Sequence, residues 1–393
     1  MNTLNGQKNI SLKDEVNIKE ASLLVYGLCS NAGDVLIEDA FNALFKKNIN
    51  TSYHHIRLDK LINTKQNIIL GPGGILSGSY NQSVKPDELV VRHMTEAKVQ
   101  EWVQEKKNVF IFGSGTNTPF IQTDNAKPFS NNSKKIMSEL FSLSKGIYLR
   151  GKSDILKLQS LADTKDIEKM KFQPCPSIFL DRIHNIKPAV SDRVAINFPF
   201  LKTLTEKNYK THPINRFIKY IRANGLKAVF VPNHTMDVNR FVVEIFDEVS
   251  ISESYLDFLG ESSELDYEKG QKLMTDEWKS YNNIAERFNG YRFAFGTRLH
   301  SFLPFMAFNI PSLFLAASPI RAPLPLDYFS NKAFCAKEGY TNKNVDSMVD
   351  GMIERLNYFI KHEDQLKIEI AEDKKKLYSI TEQNMFELLS EME

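Results

Sequence analysis

Cysteine is scarce in this chain. Only Cys29, Cys175 and Cys335 occur in 393 residues, an odd number with no CxxC pair. That scarcity argues against a disulfide framework and a cysteine-rich zinc site, and it makes a reducing compartment, the cytoplasm, the expected setting. An excess of one charge is lacking too. The 50 Lys+Arg and 48 Asp+Glu leave a net charge of +2, so there is no general attraction to nucleic acid or to an acidic membrane. An anionic small molecule would need a local cationic site. Long hydrophobic runs are also missing. The most apolar stretch, SFLPFMAFNIPSLFLAAS at 301–318, is interrupted by Pro304, Asn309 and Pro311. It reads as a short buried helix, a proline-containing turn and a buried strand, not as a membrane span. The N-terminus is polar, mixed in charge and unlike a signal peptide. GxGxxG, a P-loop lysine and a Gly-x-Ser-x-Gly elbow are all absent. His54 and His55 are adjacent and cannot share a face, and His93 and His184 have no partner at metal-ligand spacing. No metal is expected.

What is present is alternation. Domains run to about 100–200 residues, so a chain of this length suggests two. Short apolar runs read as buried strands: ASLLVYGL (21–28), NIIL (67–70), VFIF (109–112) and GIYLR (146–150). Helix-compatible segments lie between them, with Ile37, Phe41 and Leu44 at helical spacing, then 88–107 and 134–144. After a polar break at 182–192 the pattern restarts with RVAINF (193–198), a helix at 215–225, LKAVFVP (226–232), VEIFDEV (243–249), a helix at 281–290 and YRFAFG (291–296). Strand–helix alternation specifies parallel sheets covered on both faces. The expectation is an α/β protein with one unit at 20–185, a second at 190–340 and a cleft between them. Val349, Ile353, Leu356 and Ile360 give the charged tail, 345–393, an apolar face for helices that pack back on the body. In such folds ligands sit beyond the C-terminal ends of strands.

The sharpest local feature is FGTRLHSFLPFMAFNIP (295–311). A strand ends at Gly296, Thr297 to His300 fill a turn, and an apolar helix is expected to open at Ser301. Backbone N–H groups at a helix start attract anions. Arg298 adds a planar fork for carboxylate or phosphate, and His300 can move a proton near neutral pH. The competing reading is a buried arginine satisfying carbonyls beside a capping histidine. GPGGIL (71–76) and GSGTNTP (113–119) also follow strands. Gly73, Gly74 and Gly113 would allow close backbone approach to a ligand, with Ser114, Thr116 and Asn117 as donors, or they simply make tight turns. Arg150, with Lys152 and Ser153 close by, ends a strand where an anion or only solvent would sit. Asp181 and Asp237 read as loop residues that could lie on the surface. In NAGDVLIEDA (31–40), Asn31 and Gly33 read as turn and cap residues, and Asp34 as an N-terminal cap or a ligand contact.

Taken in order, NAGDVLIEDA, GPGGIL, GSGT, YLRGKSDIL, PCPSIFL and GTRLHSFLPFMAFNIPSLFL resemble the polysaccharide pyruvyl transferase family over about residues 20–320. Arg298-Leu299-His300 is the most specific part. The resemblance implies two Rossmann-like domains facing across a cleft in a GT-B-like arrangement, with C-terminal helices crossing back. The acceptor side would lie in the first domain and the donor side in the second. It implies transfer of pyruvate from phosphoenolpyruvate onto a sugar as a ketal, with phosphate released and no cofactor or metal required. Arg298, Leu299 and His300 would then hold the donor. Arg150 would bind its second anion, Gly73, Gly74, Gly113 and Ser114 would line the substrate, and Asp34 would orient an acceptor hydroxyl. His300 would act as an acid–base or neutralise phosphate. The implied partner is a sugar or lipid-linked oligosaccharide, with peripheral contact at the inner membrane face. Two positions depart from the family pattern: Cys175 stands where an acidic residue is common between two prolines, and Pro72 where glycine is. The alternatives are a GT-B-type nucleotide-sugar glycosyltransferase and a non-catalytic scaffold of a glycan pathway.

Overall fold

The computed structural model describes residues 19–25, 32–46, 48–55, 64–76, 95–116, 131–198, 201, 203–233, 237, 239–251, 284–316, 324–336 and 344–392. Cys29, Asn31, His93, Asn117 and the expected helix ends at 88–94 and 281–283 lie outside them.

Six parallel strands form the first sheet: β1 (Lys19–Val25), β2 (Ile49–His55), β3 (Asn67–Leu70), β4 (Asn108–Ser114), β5 (Ser144–Leu149) and β6 (Met170–Phe172). Their order is β2-β1-β3-β4-β5-β6. A parallel sheet is covered on both faces, so its inner strands carry unbroken apolar runs, and every residue of β3 and β4 is buried. On one face lies α1 (Ala32–Phe45), whose Phe45 meets Phe112 of β4 edge-on with ring centroids 5.2 Å apart. On the other lie α2 (Glu96–Gln104) and α3 (Asn131–Leu143), with Trp102, Met137, Leu140 and Phe141 in one cluster with Leu70 and Ile111. After β5 comes α4 (Lys152–Leu158), and then the short helices α5 (Thr164–Ile167) and α6 (Leu180–Ile183) lead out of the unit.

The second sheet is also parallel: β7 (Arg193–Asn197), β8 (Lys227–Phe230), β9 (Glu248–Val249), β10 (Phe293–Gly296) and β11 (Ser312–Phe314), in the order β11-β10-β7-β8-β9. Its helices include α7 (Ile214–Ala223), α8 (Arg240–Ile245) and α9 (Leu303–Ala307). Of the strand expected over 243–249, residues 243–245 close α8 and only Glu248–Val249 is strand. The Asn239 side chain accepts from the Phe241 and Val242 N–H groups and so caps a helix start, which leaves only Glu248–Val249 to pair with β8. The expected helix at 281–290 is a 3-10 segment over Ile284–Phe288. Over its described part, 301–316, the apolar stretch follows its reading, with α9, a turn through Pro311 and β11. However, the helix begins at Leu303, because Leu299–Ser301 closes a separate 3-10 turn and Pro304 suits a first helical turn.

The chain then folds back through α10 (Leu324–Tyr328), α11 (Val345–Lys361) and α12 (Glu363–Glu391). α11 covers the second sheet, with Phe359 stacked on Phe293 at 5.9 Å. α12 returns to the first, where Met385, Leu388 and Met392 join Phe110, Phe112 and Tyr148. The architecture is thus two parallel α/β units with C-terminal helices packed back on the body, as expected from sequence. Leu36, Ile37 and Ala40 of α1 share a core with Phe179 and with Leu303, Phe305 and Met306 of the second unit. The junction between the units is therefore an apolar contact.

Candidate functional site at the junction of the two units

The site grows from the C-terminal end of β10. Gly296 pairs with Asn197 of β7 and with Phe314 of β11, so three parallel strands end together. The chain then doubles back tightly. A Cβ on Gly296 would lie 2.6 Å from Ser301 Oγ, so glycine is required there. Ser301 Oγ accepts from the Arg298 N–H at 3.1 Å and donates to the Arg298 carbonyl at 2.8 Å. This closed turn, and not a long helix start, presents Arg298 and His300. Among the described residues, the Arg298 guanidinium bonds to Asp237: its Nη2 donates to Oδ1 at 2.8 Å. Asp237 is buried, so the surface position that the sequence left open for it is not the one it takes. Leu299 is buried in the core, so its side chain packs and only its backbone faces the turn.

His300 stands where the units touch. Its Nε2 lies 3.8 Å from Cys175 Sγ, and a Cβ on Gly33 of α1 would lie 2.7 Å from His300 Cβ. Gly33 sits inside the first turn of α1 and is not a turn residue ahead of it. Its lack of a side chain is what admits the imidazole. Cys175 is held from behind. Its N–H donates to Tyr328 Oη at 2.8 Å, and that hydroxyl donates to the Arg150 carbonyl at 2.8 Å. Cys175 Sγ also contacts Ser177 Oγ at 3.2 Å. Burial pushes the thiol above its ordinary range, so His300 faces a neutral group.

Asp34 lies in the first turn of α1, one residue beyond Gly33 and half-buried. Glu38, four residues on and on the same helix face, was not singled out in the sequence because no motif marks it. Burial pushes its carboxyl up to about 7, and the charges of Asp34 and Asp39 add to the shift.

Other expected residues are turned inward. Arg150 is buried. Its Nη2 donates to the Thr116 carbonyl at 3.2 Å, and its Nε lies 3.7 Å from Asp154 Oδ2. The guanidinium expected to hold a second anion is thus engaged inside the first unit, because the β5 end is roofed by 113–116. Gly73 and Gly113 build that roof. Gly73 N–H donates to Gly113 O at 3.2 Å and Gly115 N–H donates to Gly73 O at 2.8 Å, so the two turns lie side by side. Ser114 Oγ is buried and donates to Leu70 O. Gly74 is half-buried beside them. The physical role of Gly73, Gly113 and Ser114 here is close packing of the turns under α1, not an open cradle. Among the described residues, no group of three or more His, Cys, Asp or Glu could hold a metal ion. No helix among them is long and apolar enough to cross a membrane.

The fold and site together describe a two-unit parallel α/β protein with a cationic turn at the junction. The family model for polysaccharide pyruvyl transferase matches residues 31–319. The chain belongs to that family, and so to a class of transferases acting in polysaccharide biosynthesis. No curated protein matches the sequence. Among solved structures, it is similar to UDP-GlcNAc 2-epimerase from Neisseria meningitidis bound to UDP-GlcNAc, with 9% identity, 95% of this chain and 100% of that chain covered, and a TM-score of 0.45. It is also similar to the wall teichoic acid polymerase TagF, with 9% identity, 95% and 88% covered, and a TM-score of 0.41. A third is the S. aureus MnaA–UDP co-structure, with 12% identity, 89% and 98% covered, and a TM-score of 0.40. Likenesses this distant carry no argument about activity or ligand.

Proposed function

We propose that the protein transfers pyruvate from phosphoenolpyruvate to two hydroxyls of a sugar in a surface polysaccharide or glycan, releasing phosphate and leaving a ketal. The observation that carries this reading is the pairing of an anchored guanidinium and an imidazole on one turn at the junction of the units. Arg298 reaches the site with its Nη2 already held, and its remaining N–H groups suit a carboxylate or phosphate. Phosphoenolpyruvate carries both anions. In the reaction the enol CH2 takes a proton and becomes a methyl group, and the adjoining carbon becomes electrophilic. One sugar hydroxyl adds to that carbon and loses its proton. The C–O bond to phosphate breaks, and a second hydroxyl closes the ketal, so the two hydroxyl protons end on the methyl group and on phosphate. His300 is the residue for proton transfer or for neutralising the departing phosphate. Asp34, on the α1 side, suits an acceptor hydroxyl better than the donor, since a carboxylate repels an anion and accepts from O–H. A lipid-linked acceptor would bring the protein to the membrane surface by peripheral contact, and no further cofactor enters the scheme.

The test incubates the protein with phosphoenolpyruvate and a panel of lipid-linked and nitrophenyl sugars, following phosphate release and mass gain on the sugar. Both are expected, and Arg298→Ala should abolish donor binding measured by calorimetry. His300→Ala should lower turnover more than it weakens donor binding. Normal phosphoenolpyruvate affinity in Arg298→Ala would remove Arg298 as the anchor. Absence of donor binding and of product across the panel, with binding of a nucleotide sugar instead, would replace the reading with glycosyl transfer.

A further inference from the structure

We propose that Asp237 is a positioning residue: a buried carboxylate that holds the Arg298 guanidinium in one orientation for the donor anion, across the C-terminal ends of β8, β7 and β10. The proposal rests on the reading of Arg298 as donor anchor. Three observations carry it. The first is an asymmetry within the ion pair. The Asp237 side chain is 1% exposed and the Arg298 side chain 27%, so the carboxylate is the buried support and the guanidinium the group that meets a ligand. The second is that the carboxylate is itself fixed. Oδ1 accepts from Arg298 Nη2 at 2.8 Å, and Oδ2 accepts from the Asn233 N–H at 3.1 Å. Asn233 lies just past β8, and Arg298 just past β10. The strand between them is β7, whose last residue, Asn197, donates from Nδ2 to the Val231 carbonyl and accepts the Thr297 N–H on its own carbonyl. Hydrogen bonds thus tie the three strand ends together around Asp237.

The third observation is what this edge gives up. Asn197 Oδ1, Asn233 Oδ1 and Nδ2, and Thr297 Oγ1 are buried with no hydrogen-bond partner among the described residues. An unmet buried polar group works against folding, because it has given up its bonds to water. A buried ion pair is itself a poor way to stabilise a fold, since apolar residues of the same volume often do as well. A strand edge carrying both is built for recognition. The Nη2 bond restrains the guanidinium plane, and the second Nη2 hydrogen, paired with one on Nη1 or with the Nε–H, offers two parallel donors to an anion with two oxygens. Nearby Asp237 also offsets part of the arginine's charge, so a monatomic anion gains little there.

The test uses the full chain. In wild-type protein labelled with 15N-arginine, the Arg298 guanidinium is expected to give resolved Nη resonances, identified by their loss in Arg298→Lys and collapsing to an average in Asp237→Asn. Asp237→Asn should weaken phosphoenolpyruvate binding, measured by calorimetry, on the order of 10- to 100-fold. Averaged Arg298 resonances in the wild type would overturn the proposal, whether or not the variant folds. So would wild-type affinity in Asp237→Asn. Resolved resonances in a wild type that binds no phosphoenolpyruvate would uphold the positioning and overturn the donor assigned under Proposed function.

Discussion

Glu38 carries a titration that couples the site to folding. Its pKa is raised to about 7 in the folded chain by burial first and by Asp34 and Asp39 second, whereas the unfolded chain releases the proton in the ordinary carboxylate range. The folded state therefore binds more protons through that window, and stability falls as pH rises through it, levelling off above about 7. Replacing Glu38 with Gln removes the titration. Urea unfolding across this range should show Glu38→Gln gaining on the wild type as pH rises, by roughly 1–3 kcal/mol once above neutrality. Parallel stability curves would mean the carboxyl is solvated. At this scale the sequence was partly legible. Arg298 and His300 stood out because charged residues followed an apolar strand and preceded an apolar helix. Their partners did not: Asp237 is 61 residues away and Cys175 is 125 away, and no local pattern encodes a contact across such distances. The same limit hid the inward turn of Arg150, which depends on the neighbouring strand's loop.

Among the elements, α1 and the 299–301 turn depend on one missing side chain. Gly33→Ala would add a Cβ 2.7 Å from His300 Cβ and 2.9 Å from its Nδ1. Alanine is the better helix former by about 1 kcal/mol, so α1 should survive while the imidazole moves. The expected outcome is a loss of turnover on the order of 100-fold with little change in melting temperature. Unchanged turnover would show that His300 has room to spare. Most strands were visible as short apolar runs because a parallel sheet buries both faces. β2 was missed because INTSYHH is a largely polar strand at the sheet edge, paired among the described residues with β1 alone. The run 243–249 misled because Val and Ile suit a buried strand as well as a short helix, and the Asn239 cap decided between them for its first residues.

Across the whole molecule, Lys374 of α12 fastens the units. Its Nζ donates to Asp181 Oδ2 at 2.7 Å and to Asn309 Oδ1 at 3.1 Å, and it also donates to the Ala307 carbonyl at the end of α9. Burial lowers the lysine's pKa while Asp181 opposes the shift. Lys374→Met should cost about 3 kcal/mol in urea unfolding, because it strands the carboxylate and the helix-end carbonyl together. Hydrogen exchange should speed up in α12 and α9 alike. A loss confined to α12 would mean that the helix is a surface addition and not a fastening. By itself the sequence determined the α/β class, the tandem of two parallel units, the amphipathic tail and the charged turn after β10, because each is written in apolar spacing within a few tens of residues. Tertiary structure alone decided that Asp237 underlies Arg298, that His300 meets Gly33 and Cys175, and that Arg150 turns inward. Those contacts join residues from separate strand ends, helices and units, and only the packing of one element against another sets which side chains meet there.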